Sequence, residues 1–174
     1  MAAARFRGIP TVAVEPDLMN ARMLYENVLR NDLGKLVTVL PVALDSKSQI
    51  GTLFLKTLSY GDALHNLEEP SAYVRQSSGF TASVPVFAVD DLIGILGLPQ
   101  PTRVKIDVDG RELQILEGFK QSLSGVHEVL VEVDLDRQSA QAITELLCEK
   151  GFRVVGESAP LVPWNRFVNL IFRR

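Results

Sequence analysis

The sequence predicts an α/β protein in which a mainly parallel, open sheet is wound with helices. Three observations carry that expectation. Stretches of strand-like apolar alternation trade places with stretches of helical period along the whole chain. The 174 residues, 47% of them hydrophobic, suffice for one core on the rough prior of ~150 residues per domain. Residues 157–166, which join the final two strands, contain no helical pattern, so one antiparallel strand is expected near the C-terminus.

The elements follow in order. Residues 2–7 read as a helix ended by Gly8. Thr11-Val-Ala-Val-Glu15 alternates as a strand, and Pro16, which has no N–H for a ladder, closes it. Asp17 is placed to cap the next helix, where Leu18, Met23, Leu24, Val28 and Leu29 recur at helical spacing until Gly34 offers a left-handed terminus. A second strand covers 36–40, extended through Leu44. Residues 51–56 and 83–89 alternate like edge or hairpin strands. The polar, Ser- and Gly-bearing interval 57–82 between them is too long for a passive turn and is expected to be functional or mobile. Asp90 or Asp91 is placed to cap a helix through Leu96. Pro99-Gln-Pro101 leads into a strand at 102–108, bounded by Gly110. A helix from 111 to about 123, a strand at 127–134, a helix at 137–150 before Gly151, and strands at 152–156 and 167–173 complete the chain.

Composition removes several function classes. With 18 basic against 21 acidic side chains the formal charge is −3, so no basic surplus meets a phosphate backbone, and nucleic acid is not an expected partner. Cys148 is the one cysteine. It permits no internal disulfide, and with His65 and His127 alone beside it no His/Cys metal cage forms, so no metal site is expected. No apolar run approaches the ~20 residues of a membrane span, and the first residues lack the apolar core of a signal peptide. Repeats are absent, so residues 1–174 are taken as a single, cytoplasmic domain.

Chemistry concentrates in few places. Glu15 stands where a strand gives way to a helix. A carboxylate there can accept both hydroxyls of a ribose, or it can be a solvated acid favoured by the helix dipole. In Val104-Lys-Ile-Asp-Val-Asp-Gly-Arg-Glu112, alternation sends Lys105, Asp107 and Asp109 to one face of a strand expected to be buried on both. Three buried charges require Lys105 to pair with an acid, the acids to emerge at the strand's carboxyl end, or both. Crowded carboxylates there can take a proton from a hydroxyl or hold a metal ion. A structural ion-pair network, with Asp109 and Glu112 serving the next helix, is the other reading. An Asp-x-Asp pair also occurs in metal-dependent glycosyltransferases and aspartyl-phosphate phosphatases, though a phosphatase would carry it after its first strand. His65, in the polar interval, is a candidate to act as base or orient a substrate. His127 reads as structural, Trp164 as packing or as cover for a planar ligand, and Cys148 as core.

Several segments together resemble the FkbM-type methyltransferase family. They are Val12-Ala-Val-Glu15-Pro16 with Asn20, Leu24, Asn27 and Asn31; Pro41-Val-Ala-Leu-Asp45; Val84-Pro-Val86; Val89-Asp-Asp-Leu92; Val104-Lys-Ile-Asp-Val-Asp-Gly110 with Glu112, Leu116 and Gly118; and Val131-Glu-Val-Asp134. The resemblance implies S-adenosyl-L-methionine as cofactor and a Rossmann-like methyltransferase sheet with helices on both faces. Glu15, followed by Pro16, would hold the cofactor ribose, and the turn after the third strand, near Ala43, Leu44 and Asp45, would lie close to the adenine. Asp107 and Asp109 would flank the transfer point, with Asp107 accepting the proton of a small-molecule or sugar hydroxyl. Glu112 would orient that loop or cap its helix. The family's first strand and Gly-rich loop belong upstream of Glu15, where fourteen residues stand. The expected sheet therefore lacks its usual first strand. The expected explanations are a fragment, a start at an internal methionine, or a sheet closed another way, including self-association through exposed edges. A non-catalytic interaction module is the alternative function, and a metal-dependent glycosyltransferase a more distant one.

Overall fold

The computed structural model describes residues 2–55, 65–68, 80–134, 138–158 and 167–174. Trp164 and most of the polar interval 57–82 lie outside them. The chain forms two compact units, Met1–Leu44 with Ser48–Phe87, and Asp45–Lys47 with Ala88–Arg174.

In the first unit, helix α1 (Ala2–Arg7) stops at Gly8, whose φ of 63° sits in the left-handed region that glycine enters freely. Strand β1 (Thr11–Val14) runs parallel to β2 (Val37–Leu40), with Thr11 opposite Val37 and Val14 opposite Leu40. Helix α2 (Leu18–Arg30) makes the crossover. Buried Asp17 caps it by accepting from Met19 N (2.9 Å) and Asn20 N (2.8 Å). The left-handed residue at its far end is Asp32 (φ 55°), not Gly34. The reason is packing: turning there lets Leu33 N reach Val28 O (3.0 Å) while Asp32 N reaches Leu29 O (3.1 Å). This terminating motif brings Leu33 onto Val28 in a core shared with Ala4, Val37 and Val39.

The strand expected to continue through Leu44 instead breaks at Pro41 and Val42. Pro41 offers no ladder donor, and β3 (Ala43–Leu44) joins a different sheet, parallel to β6 (Phe80–Phe87). On its other side β6 pairs antiparallel with β4 (Gln49–Leu55), the hairpin-like partner expected from alternation. β5 (Asn66–Leu67) borders β4. Ala43, Leu53, Leu55, Leu67, Val84 and Val86 fill this sheet's apolar face.

The second unit has α3 (Val89–Leu96), β7 (Arg103–Ile106), α4 (Glu112–Glu117), a 3-10 turn at Ser122–Gly125, β8 (Glu128–Asp134), α5 (Gln138–Glu149), β9 (Arg153–Glu157) and β10 (Phe167–Arg173). The sheet order is β7-β8-β10-β9; β7 and β8 are parallel, and β10 runs antiparallel to both its neighbours. The expected antiparallel strand is therefore present, but the mainly parallel sheet expected is not: among the described residues three strand pairings are parallel and four antiparallel, because β4 also runs antiparallel to β5 and β6, and the strands fall in three sheets. Val129, Val131 and Val133 of β8 are buried, and α4 and α5 pack on β8 and on each other. Leu147 and Phe152, both buried, close the end of α5 through Phe152 N on Leu147 O (3.0 Å).

Four expectations are corrected here. Ala88, not Asp90 or Asp91, is the N-cap of α3; Asp90 accepts from Gln121 N (2.6 Å), Ser122 N (3.0 Å) and the Ser122 hydroxyl. Burial pulls the Asp90 carboxyl up, but these donors outweigh it and hold it below the ordinary range. By taking those N–H groups Asp90 also ends the helix expected to reach 123, which stops at Glu117 before Gly118. Strand β7 ends at Ile106, so Asp107 and Asp109 lie beyond it. The face of β7 that carries the charges is open rather than buried: the Lys105 and Asp107 side chains are 61% and 45% exposed. Cys148 is exposed rather than core, because Ile143 and Leu147 take the buried face of α5. Among the described residues no helix is long and apolar enough to cross a membrane.

Candidate functional site

In the first unit the site is built on Glu15. The parallel ladder carries β1 to its carboxyl end, where Glu15 N donates to Leu40 O (3.1 Å) and fixes the backbone. Its side chain turns toward the start of α2 and accepts Asp17 N at 2.9 Å through Oε1. Burial pushes the Glu15 carboxyl above the ordinary range. The Asp17 N–H bond opposes this, the Asp17 carboxylate adds to it, and His65 acts to lower it. Half-buried Pro16 holds the junction between these two acids. His65, expected as a catalytic candidate, thus lies within electrostatic reach of Glu15 in the same unit, just before β5. The side chain of Ala43 is buried in the apolar core, and Leu44 is half-buried.

In the second unit the sequence-named acids gather at the carboxyl end of β7. Lys105 forms an ion pair with Asp107 and the acids lie beyond the strand's end, but on an open face rather than the buried one expected. The register sets Lys105 beside Leu130 and Ile106 beside Val131, so Asp107 leaves β7 next to the stretch of β8 that bears Glu132, and its carboxylate acts on the Glu132 carboxyl. Burial is the main cause that raises the Glu132 carboxyl above the ordinary glutamate value. Asp107 repulsion, Asp109 repulsion and the hydrogen bond with Asp107 add to it, while Lys105 opposes it. A carboxyl pair in this state can hold a proton between its members and pass it on.

Glu132 received no role from sequence reasoning. The signal was present: Val129, Val131 and Val133 mark the buried face of β8, which leaves Glu132 as an acid on the opposite face of an interior strand. Glu112 opens the helix that follows the acid-bearing turn. Its carboxylate is buried and Oε1 accepts Gly110 N at 3.1 Å, closing the turn after Asp109. Asp45 is 2% exposed. Its Oδ2 receives Arg111 Nε (3.0 Å) and Nη2, and its Oδ1 receives Ser46 N (2.6 Å) and the Ser46 hydroxyl (3.1 Å).

Comparison with known proteins gives the family. The profile of the family described as Methyltransferase FkbM domain matches residues 3–154. The hexuronic acid methyltransferase AglP of Haloferax volcanii is 33% identical over 67 residues, 38% of this chain and 28% of that protein. The crystal structure of methyltransferase FkbM from Methylobacillus flagellatus KT superposes with a TM-score of 0.62 at 16% identity, covering 95% of this chain and 36% of that one. The chain thus spans about a third or less of the length of each of these proteins. The family match reaches across both acid clusters, from before Glu15 to beyond Glu132, and the chain belongs to the FkbM methyltransferase domain family.

Proposed function

We propose that this chain carries part of an S-adenosyl-L-methionine-dependent methyltransferase that methylates a hydroxyl of a small molecule of the sugar class. The observation that carries the reading is the gathering of acids at the carboxyl end of β7, where Asp107, paired with Lys105, lies next to the stretch of β8 that bears Glu132. Ligands of open α/β sheets sit at such strand ends.

The residues present fit the cofactor. Glu15 offers a carboxylate at the carboxyl end of a parallel strand, beside a helix start, which suits a ribose diol. Leu44 and the backbone of Ala43 follow another parallel strand and suit an adenine edge. When bound, the cofactor supplies an electrophilic methyl group on a sulfonium. The chain's own residues align the acceptor and manage its proton. Asp107 accepts that proton, Lys105 holds Asp107 in place, and Glu132 shares it. Asp109 extends the acidic rim. Glu112 shapes the turn through Gly110. His65 acts from the Glu15 end, where it tunes that carboxyl. The sugar class of acceptor draws support from the hexuronic acid relative.

A thermal-shift titration with S-adenosylmethionine and S-adenosylhomocysteine tests the reading. At a ligand concentration 100-fold above Kd the native state gains ~2.7 kcal/mol, a rise of about 5–11 °C for a chain of this size. Glu15→Ala should abolish the rise. A folded chain with no shift at millimolar ligand would overturn the reading.

A further inference from the structure

The turn that bears Asp107 and Asp109 is held from three sides. Lys105 pairs with Asp107, Glu112 accepts from Gly110 N, and Arg111 reaches Asp45. The third tie is unlike the others. It joins residues 66 positions apart, and its acid is almost wholly buried while the Arg111 side chain keeps 29% exposure. Arg111 is also the N-cap of α4, yet its side chain makes no cap bond. Ser, Thr, Asp or Asn there would satisfy the helix directly. An arginine answers a different need, since its planar guanidinium can present two N–H groups to one carboxylate and so fix direction as well as distance. Both serine donors on Asp45 Oδ1 hold the acid so that Oδ2 faces the guanidinium.

We propose that Asp45 and Arg111 are positioning residues that set the direction of the turn Asp107–Arg111 and thereby the placement of Asp107 and Asp109 against Glu132. The pair touches no ligand. It acts through the acids it aims, and in that respect the inference rests on the methyl-transfer reading of Asp107. It also gives Asp45 a task other than contact with an adenine, because both of its oxygens are engaged within the protein.

The test is a pH titration of the side-chain carboxyl carbons of Asp107, Asp109 and Glu132 by NMR. It uses the full chain as wild type, Arg111→Gln, Arg111→Lys and Asp45→Asn. Lys105, Asp107 and Asp109 are the charged groups acting on Glu132. Loosening the turn lets the two aspartates drift from it, so its titration midpoint should fall part of the way toward the ordinary value of 4.5. Arg111→Lys, which keeps the charge and loses the two-pronged grip, should show the same direction of change. A staple that merely supports the fold would lower the melting temperature and leave the Glu132 midpoint in place. That result in any folded variant overturns the proposal, and if Arg111→Gln or Asp45→Asn fails to fold, Arg111→Lys decides. Cofactor binding by the wild type is measured separately with S-adenosylhomocysteine. Its absence would count against the methyl-transfer reading alone.

Discussion

Replacing Gly118 with alanine sets two magnitudes against each other. A Cβ at this position would lie 2.5 Å from Asp45 O, 3.1 Å from Ile115 O and 3.3 Å from Val89 N. All three are main-chain atoms, so no rotamer change relieves the contact. The backbone itself raises no objection, because Gly118 has helical angles (φ −73°, ψ −13°), and alanine there gains at most ~1 kcal/mol of helix propensity. Overpacking of this kind costs about 1–3 kcal/mol, and the contact wins. A net loss of about 1–2 kcal/mol corresponds to a melting temperature lower by about 2–8 °C. Gly94→Ala is the matched control: it lies within α3, with nothing inside 4 Å of its added Cβ. That variant should gain about 0.5–1 kcal/mol and melt about 1–4 °C higher. Calorimetry on the three proteins reads both. A Gly118→Ala protein that melts at or above wild type would refute the argument, as would a Gly94→Ala protein that falls with it.

Other expectations follow from burial, capping and ionisation. Leu147→Ala, at a fully buried site on α5, should cost about 2–5 kcal/mol in a denaturant titration, whereas neighbouring Cys148→Ala should stay within about 0.5 kcal/mol. Cys148, being exposed, should also react with a thiol reagent without prior unfolding; protection in the native state would contradict the structure. Asp17→Ala removes two cap bonds to α2 and should lower stability by about 0.5–2 kcal/mol. The folded Glu15 carboxyl titrates above its unfolded value of 4.5. Its contribution to stability is therefore complete below that value and is lost as pH rises through the folded one. Glu15→Gln should gain on wild type as the pH rises above 4.5 while losing the ligand-induced shift, and a constant difference between the two melting curves would refute this.

Local pattern made much of the fold legible. Strand β10 occupies the expected residues because its alternation is one-sided: Val168, Leu170 and Phe172 are buried. The ends of α1 and α5 were announced by Gly8 and Gly151, both at positive φ. What remained hidden depends on distant partners. Nothing near Gly118 says that the carbonyl of Asp45 will rest against it, nor near Asp90 that it will take the amides of Gln121 and Ser122. For the candidate site, the acids beyond β7 and the pairing of Lys105 with Asp107 were readable from charge on an alternating strand. Glu132 enters through the register of β7 on β8, and the Asp45–Arg111 tie through tertiary contact, which local spacing does not encode. The tie between His65 and Glu15 was hidden because the polar sequence around His65 has no periodicity to read.

The place of β10 in its sheet bears on how this unit is made. It lies between β8 and β9 yet follows both in the chain, its Phe167 opposite Asp134 and its Leu170 opposite Glu157. A nascent chain therefore presents β9, with Val154 and Val155 on its surface, before any strand exists to zip onto it. At about 5–20 residues per second, translation from Glu157 to Arg173 takes roughly 1–3 s. During that time two sheet margins stand open in the exit path of the ribosome. Slow decoding across this stretch would lengthen the wait, and the yield of native protein should respond to synonymous changes there that alter no residue at all.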